Sequence, residues 1–483
     1  MTKTDLETIG DTSLPLCVDL DGTLIQTDSL LESCLRLIRQ NPLMLIFLPF
    51  WLLSGKAGFK QKISQHVELA PKSLPFNSGL LKYLTQQRLH NRHLVLVTAA
   101  NKKIAEAISA HLNIFDEVIA SDETQNLSGK NKAQVLIDKF GDKGFVYAGN
   151  ANVDLDVWQH AASAIVVNGT NNLVNKAKRI TTVEEIFPKD KNNILKIFLR
   201  AIRVHQWTKN LLIFTALILS HSWFNGDLVQ TSILAFLAFC FAASSIYLIN
   251  DLVDLEDDRK HQTKKNRPLA AGTLSIKTAL LIIPVLLSFS FLFASLINSN
   301  FVIILAVYLI LTTAYSLILK PIALIDVITL TSLYTIRIIA GAIAIDVPLS
   351  YWLLAFSMFI FLSLALIKRY SELKNLIQQG ETNAVARGYH VDDLLAVSLF
   401  GICSGYLSVF ILVLYTHDLQ ADTLYSSPDW LWFVAIAVLY WISRMWLLSF
   451  RGKMNEDPVL FAIHDRNSYV VSLIVATSLY LAL

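Results

Sequence analysis

The sequence predicts a multidomain protein, with an N-terminal α/β Rossmann-like domain carrying a small helical cap, followed by an all-α membrane domain of nine transmembrane helices. Three observations lead there. First, the 483 residues are 54% hydrophobic with a mean hydropathy of +0.48. Only 16% are charged, against about 25% in ordinary soluble chains. Second, residues 1–190 mix charge with short apolar runs, whereas from about 210 onward the chain is a series of apolar stretches near the length that spans a bilayer. Third, the short apolar runs of the first half each end in a polar residue: Asp19, Thr98 or Asn150. A net charge of +3, from 41 basic and 38 acidic residues, argues against a nucleic-acid partner. Cys17, Cys34, Cys240 and Cys403 lie far apart, with no metal or disulfide spacing.

In the first half, Leu16-Cys-Val is a strand running into Asp19-Leu-Asp21-Gly22-Thr23. Residues 30–75 read as the helical cap. Within them, 42–53 form an uncharged stretch too short to span, which is either buried cap core or an element dipping into the membrane surface, the latter favoured. Leu94-Val-Leu-Val-Thr98 is a second strand. Lys130 and Lys132 precede a helix at 133–140, and Lys132 is preferred for chemistry because it opens that helix. Phe145-Val-Tyr-Ala-Gly149-Asn150 leads to Asp154. In an open parallel sheet the residues just past the strand carboxyl ends converge. Asp19, Asp21, Thr98, Lys132 and Asp154 would therefore share one site. Two carboxylates, a metal and a lysine suit phosphoryl transfer, with Asp19 attacking phosphorus and Asp21 protonating the leaving group and then activating water. DxDGT, the strand-ending Thr, the Lys and GNxxxD resemble the four motifs of the haloacid dehalogenase (HAD) phosphohydrolases over about residues 14–170. The resemblance implies Mg²⁺ held by Asp19, Asp21, Asn150 and Asp154. Asn150 stands where that family usually has Asp, which removes one negative charge and leaves a catalytically weak or structural domain open.

Nine spans are expected at about 209–224, 229–249, 275–297, 301–318, 322–345, 351–368, 394–415, 430–449 and 468–483. The loops 250–274, 319–321, 369–393 and 450–467 hold every Lys and Arg between the spans; loops 225–228, 298–300, 346–350 and 416–429 hold none. The positive-inside rule makes the first set cytoplasmic, together with residues 1–208, and leaves the C-terminus outside. Residues 1–14 are polar, without the apolar core of a secretory signal. An inner-membrane protein with a cytoplasmic first half is the expectation. The boundaries read 1–190, 191–208 and 209–483. The middle piece is an amphipathic helix in the interface plane or a plain linker.

The second span ends in Asn250-Asp251, then Asp254, Asp258 and Arg259. On a helix, 251, 254 and 258 share a face. Like charges repel there, and an oxygen-rich cluster at a span end suits Mg²⁺. Arg259, Lys260, His261, Lys264, Lys265 and Arg267 follow, so a diphosphate with its metal fits this loop; attraction to anionic lipid is the rival reading of the basic run. Arg203, Lys209, Tyr315, Lys320, Lys368 and Arg369 stand at the same membrane ends. Asp326 and Arg337 share a helix face but lie about 16 Å apart along it, too far for an ion pair. Arg337 must face a cavity or partner near mid-membrane.

NDxxDxxxDR, the following HxxKxxRPxAxG and the span pattern resemble the UbiA superfamily of intramembrane prenyltransferases over about 195–483. RVHQWTKN (203–210), YSLILK (315–320), DVITLTSLYTIRIIAGA (326–342), KRYSEL (368–373) and RGKMNEDPVLFA (451–462) resemble its polyprenyl-phosphate phosphoribosyltransferase branch. Aromatic prenyltransferases of the superfamily carry a second DxxxD; here Leu330 follows Asp326 by four residues. The resemblance implies 5-phosphoribosyl transfer from phosphoribosyl pyrophosphate to a polyprenyl phosphate. Mg²⁺ would be held by Asn250, Asp251, Asp254 and Asp258, giving one Mg²⁺ in each domain. Arg203, Lys209, Arg259, Lys265, Arg267, Lys320, Lys368 and Arg369 would hold phosphates, and Tyr315, Asp326 and Arg337 would line the cavity. The HAD half would remove the 5-phosphate of the lipid product. Homo-oligomers are compatible with the sequence. The alternatives are prenyl transfer to an aromatic quinone precursor, and a membrane transporter with a regulatory HAD-like domain.

Overall fold

The computed structural model describes residues 13–483 except 54, 123–125, 190–192, 381–386, 419–420, 422–423 and 455–456. Most of the polar N-terminal stretch and the start of the 191–208 piece lie outside the described residues. The chain divides into two units: Met1–Ile202 with Tyr247–Ile283, and Arg203–Ile246 with Pro284–Leu483.

The first unit is built on a six-stranded parallel sheet. Its strands are β1 (Leu16–Val18), β2 (Leu94–Asn101), β3 (Glu117–Ser121), β4 (Val146–Gly149), β5 (Ser163–Val167) and β6 (Thr182–Phe187), in the order β3-β2-β1-β4-β5-β6. The central strands β1 and β4 are buried throughout, as expected for strands covered on both faces. The order reverses direction at β1, so the ends of β1, β2 and β4 open together at the switch point. The cap follows β1 as expected. Helix α1 (Ser29–Gln40) is capped by Asp28, which accepts from the N–H groups of Leu30 and Leu31. The helix Gly55–His66 packs on it through Leu37, Phe59, Ile63 and Val67.

The same unit holds the loop between two membrane helices. After Val253 the chain continues as a short helix, α2 (Leu255–Lys260). Three ion pairs fasten α1 to α2: Glu32 with Arg259 at 2.7 and 3.0 Å, Arg36 with Glu256 at 2.8 Å, and Arg39 with Asp257 at 2.5 Å. Lys277 adds a fourth contact, to Asp28 at 2.8 Å.

In the membrane part, seven helices are long and apolar enough to cross a bilayer: Gly226–Val253, Ile276–Ser295, Ser299–Leu319, Ile325–Ala344, Tyr351–Gln378, Val391–Tyr415 and Pro428–Phe450. Pro458–His464 and Arg466–Ala482 form a pair bent by 84°, giving up to eight spans among the described residues. The expectation of nine is corrected at the first span. Residues 204–214 form a 3₁₀ segment followed by the five-residue helix Thr215–Leu219. Asn210 within it is buried and bonded to Arg337 and Cys240. The carbonyl of Ile213 sits where a Cβ on Gly341 would come to 2.0 Å. Polar anchoring and close backbone contact hold this segment in a tight form, not as a free-standing span. At the last span, Asp465 makes the bend, capping Arg466–Ala482 through Ser468 while pairing with Arg444 at 2.7 Å. The sixth expected span also runs longer, to Gln379, through the charged KRYSEL run.

Candidate functional site

Four clusters of functional side chains emerge, two in each unit. In the sheet site, Asp19 follows β1, and its Oδ1 accepts from Lys132 Nζ at 2.6 Å. Lys132 also donates to the Tyr147 hydroxyl at 2.8 Å, and that hydroxyl donates to Asp154 Oδ1 at 3.0 Å. The other oxygen of Asp154 accepts from the backbone N–H groups of Asn150 and Ala151, both at 2.9 Å. Lys132 is buried and Lys130 exposed, in accord with the choice made from the sequence. Thr98 is buried within β2, which runs three residues past the strand end expected from the sequence, and its hydroxyl accepts from Ala100 N–H at 3.0 Å. Gly22, at φ +77°, faces the Asn150 amide so closely that a Cβ would lie 2.1 Å from Nδ2. Asp19, Lys132, Asn150 and Asp154 are therefore brought together, with Asp21 in the range of the Asp19 charge, while the hydrogen bond of Thr98 stays within its own strand. Tyr147 was not anticipated as a member. Its signal was a hydroxyl in an otherwise apolar buried strand.

Electrostatics acts strongly on Asp21. Burial first, then the Asp28 charge, pushes Asp21 up to about 7, opposed by the backbone N–H and hydroxyl of Ser29 at 2.7 and 3.1 Å. Asp154 is also pushed up, by burial and then by the Asp19 charge. Two buried carboxylates that repel each other beside one lysine are a donor set that a divalent cation would relieve. Among the described residues, no three His, Cys, Asp or Glu side chains form a ready-made metal cage.

In the acidic loop, Asp251 and Asp258 are buried. They converge on one guanidinium nitrogen of Arg267, at 3.1 and 2.5 Å. Asp254 lies at the start of α2, half-buried, and Asn250 is half-buried one turn before it. Two carboxylates meeting at one cationic point, with a third an additional turn away, fit a divalent ion by donor chemistry. Lys265 is exposed. Arg259, expected at phosphate, spends its guanidinium on Glu32 and on the Ala270 carbonyl.

The second unit holds a cationic cluster. Arg337 is buried, with Nε on the Asn210 amide oxygen at 2.7 Å, a second nitrogen on the Tyr308 hydroxyl at 3.1 Å and a third on the Leu333 carbonyl. Among the described residues no carboxylate lies within ion-pair distance of it. Lys209 and Lys368 share Asp457, at 2.9 and 3.3 Å. Lys209 and Arg337 both stand over the Tyr334 ring, 5.8 and 5.7 Å from its centre. Two lysines thus converge on Asp457, while Arg337 meets Lys209 at the Tyr334 ring. Asp326 belongs to a separate group: Arg369 Nε donates to it at 2.5 Å and the Tyr389 hydroxyl at 2.7 Å, with Arg387 at 3.8 Å. Arg369 also reaches Glu372 and, at 3.5 Å, the Tyr315 hydroxyl. Asp326 and Arg337 are not paired, as their spacing predicts. Tyr315 opens a π-type turn, Tyr315–Leu319, ahead of Lys320, a deviation that recurs at functional sites. Arg203 opens the 3₁₀ segment in the left-handed conformation. Tyr308, Tyr389 and Arg387 were missed from the sequence, because single tyrosines in apolar helices and one loop arginine carry no pattern.

The model of the UbiA prenyltransferase family matches residues 211–464, and that of haloacid dehalogenase-like hydrolases matches 16–155. The uncharacterized protein y4nM of Sinorhizobium fredii is 34% identical over 98% of this chain and 92% of its own length. The decaprenyl-phosphate phosphoribosyltransferase of Mycolicibacterium smegmatis is 39% identical over 57% of this chain and 88% of its own. The structure of a UbiA homolog from Archaeoglobus fulgidus bound to GPP and Mg²⁺ aligns with 59% of this chain and 99% of that one, at 16% identity and a TM-score of 0.43. This integral membrane chain belongs to the UbiA prenyltransferase family and carries an N-terminal HAD-like domain.

Proposed function

We propose that the membrane part transfers a 5-phosphoribosyl group from phosphoribosyl pyrophosphate to a polyprenyl phosphate and releases pyrophosphate. The observation that carries this reading is the buried Arg337, which among the described residues has no carboxylate within ion-pair distance and stands with Lys209 at the Tyr334 ring. A buried cation without a counter-ion is costly. An excess of positive charge in a membrane protein is suited to an anion that arrives with the substrate, and both proposed substrates are phosphates. The commitment of Asp326 to Arg369 and Tyr389 supports the same choice over aromatic prenylation, since no second carboxylate stands four residues on to hold a metal with it. The relationship to decaprenyl-phosphate phosphoribosyltransferases adds weight.

The acceptor phosphate is already an anionic nucleophile, so the chain need not supply a strong base. Its oxygen attacks C1 of the ribose as the C1–O bond to pyrophosphate breaks, through an oxocarbenium-like state. Asp251, Asp254 and Asp258, with Asn250, would hold Mg²⁺. That ion, when bound, would neutralise the departing pyrophosphate. Lys265, Arg267, Lys320 and Arg369 would bind donor phosphates, with Tyr315, Asp326 and Arg337 positioning the reactants. Arg203 and Lys209 would add positive charge at the same membrane face. Arg259 would act indirectly, through its hold on Ala270 and Glu32. The loop charges support a cytoplasmic orientation for both halves.

The HAD half would act as a Mg²⁺-dependent phosphatase that removes the 5-phosphate of the lipid product. Asp19, held by Lys132, would attack phosphorus. Asp21, kept protonated up to about pH 7, would protonate the leaving oxygen and then activate water. Asp19, Asp21, Asn150 and Asp154 would surround the metal, with Thr98 and Lys132 on the phosphate.

The test uses full-length protein in detergent with Mg²⁺, ribose-labelled phosphoribosyl pyrophosphate and a polyprenyl phosphate, the lipid phase being read by mass. Label in the lipid that disappears in Asp254→Asn is expected. Wild-type lipid should also lack the 5-phosphate that Asp19→Asn retains. Folded protein giving no lipid label would remove the phosphoribosyl reading and bring aromatic acceptors forward.

A further inference from the structure

The cap carries an apolar surface that its own core does not use. Between Asn41 and Gly55 the chain forms two short helical turns, Pro42–Ile46 and Leu48–Leu52. Met44, Leu48 and Trp51, spaced four and three residues apart, pack toward Leu37, Phe59 and Ile63. That row is the inward face. The opposite row is equally apolar: Leu43 is 69% exposed, Ile46 61%, Phe47 49%, Phe50 64% and Leu53 85%. A surface helix ordinarily turns a polar face to water. One that is apolar on both faces, with no charge from 42 to 53, is covered by something outside the fold.

What covers it follows from how α1 is held. At its start, Asp28 pairs with Lys277, the second residue of the membrane helix Ile276–Ser295. At its end, Arg39 pairs with Asp257, four residues beyond the last residue of the membrane helix Gly226–Val253. Four helical residues rise about 6 Å. Helix α1 is thus tied at both ends to the points where two membrane helices stop, and the apolar segment begins three residues after Arg39. Membrane helices ordinarily end at the lipid headgroups, where amphipathic elements bury an apolar face about 5–10 Å into the acyl boundary. Phe47 and Phe50 suit that boundary, and the arginines of α1 stay on the loop carboxylates.

We infer that the Leu43–Leu53 face of the cap is a membrane anchor, seated in the leaflet where Gly226–Val253 ends. It would hold the HAD cleft at the lipid surface, so that phosphates borne on lipids meet it without leaving the membrane. The anchoring itself does not depend on the phosphoribosyl reading.

The experiment places a nitroxide at Phe47→Cys or Phe50→Cys of the full-length protein in nanodiscs, with Cys34→Ser and Cys403→Ser as background. Gln65→Cys, exposed elsewhere on the cap, is the aqueous reference. Accessibility to oxygen and to a water-soluble nickel chelate is compared. An oxygen-to-nickel ratio several-fold above that of Gln65→Cys at both positions is expected. Ratios equal to the reference would overturn the inference. So would spin–spin broadening that vanishes on dilution with unlabelled protein, because a second copy would then cover the face.

Discussion

The position of Asp21 makes a directional prediction about pH. Its carboxyl is shifted from 3.8 to about 7, by burial and then by the charge of Asp28, against two hydrogen bonds from Ser29. Three units correspond to about 4 kcal/mol between the protonation states; the carboxyl keeps some exposure, and solvent screening reduces this to about 2–3 kcal/mol. A folded pKa above the unfolded one means that folding takes up a proton. The stabilisation is complete below about pH 4 and is lost as pH rises through about 7. Under the proposed phosphatase role catalysis follows the same group, since proton delivery to the leaving oxygen would fail once Asp21 ionises. Hydrolysis of an aryl phosphate by full-length protein, with Asp19→Asn as blank, should fall above about pH 7. Two substitutions move that limb in opposite directions. Asp28→Asn removes the repelling charge and keeps the helix cap, since Asn caps as well as Asp, so the limb moves to lower pH. Ser29→Ala removes one donor to the ionised carboxylate and keeps the backbone N–H, so the limb moves up, by at most about one unit. A profile flat from pH 6 to 8, or a shift of both variants in one direction, would refute the reasoning.

Four further outcomes are expected. Lys132→Met leaves Asp19 and Asp154 facing each other without their cation; phosphatase activity should fall at least about 100-fold and the first unit should lose about 3 kcal/mol, read by chemical denaturation. Gly22→Ala forces a Cβ onto the Asn150 amide at φ +77°, costing about 1–3 kcal/mol, with phosphatase activity lost together with stability. Arg337→Gln removes a cation that has no counter-ion among the described residues, so lipid labelling should drop about 100-fold while the melting temperature in detergent changes little; a large fall in melting temperature would mark Arg337 as structural. Glu32→Ala strands the buried Arg259 guanidinium, and hydrogen exchange in Ser29–Gln40 should quicken while the sheet strands stay protected.

Where chemistry depends on a strand ending, the sequence was a close guide. Asp19, Lys132 and Asp154 are drawn together by parallel-strand topology alone, because each follows or faces the carboxyl end of a β-strand. The acidic loop was legible for a different reason: three carboxylates at helical spacing at a span end must meet a cation, and Asp251 and Asp258 do meet one. Periodicity did not reveal which cation. Arg267 stands nine residues past Asp258, across a turn whose path no local rule fixes. The first expected span failed because apolar composition was read without Asn210. One buried amide that holds Arg337 and Cys240 makes residues 204–214 part of a packed polar contact, where helix length no longer follows hydropathy. Arg337 shows the same limit from the other side. Its spacing from Asp326 excluded an ion pair, and that holds, yet the residues that receive its guanidinium lie 127 and 29 positions away. A helix face can be read from one helix. The identity of a counter-ion belongs to the packing of several, and the proposed anionic substrate is what would answer Arg337, which among the described residues has no carboxylate within ion-pair distance.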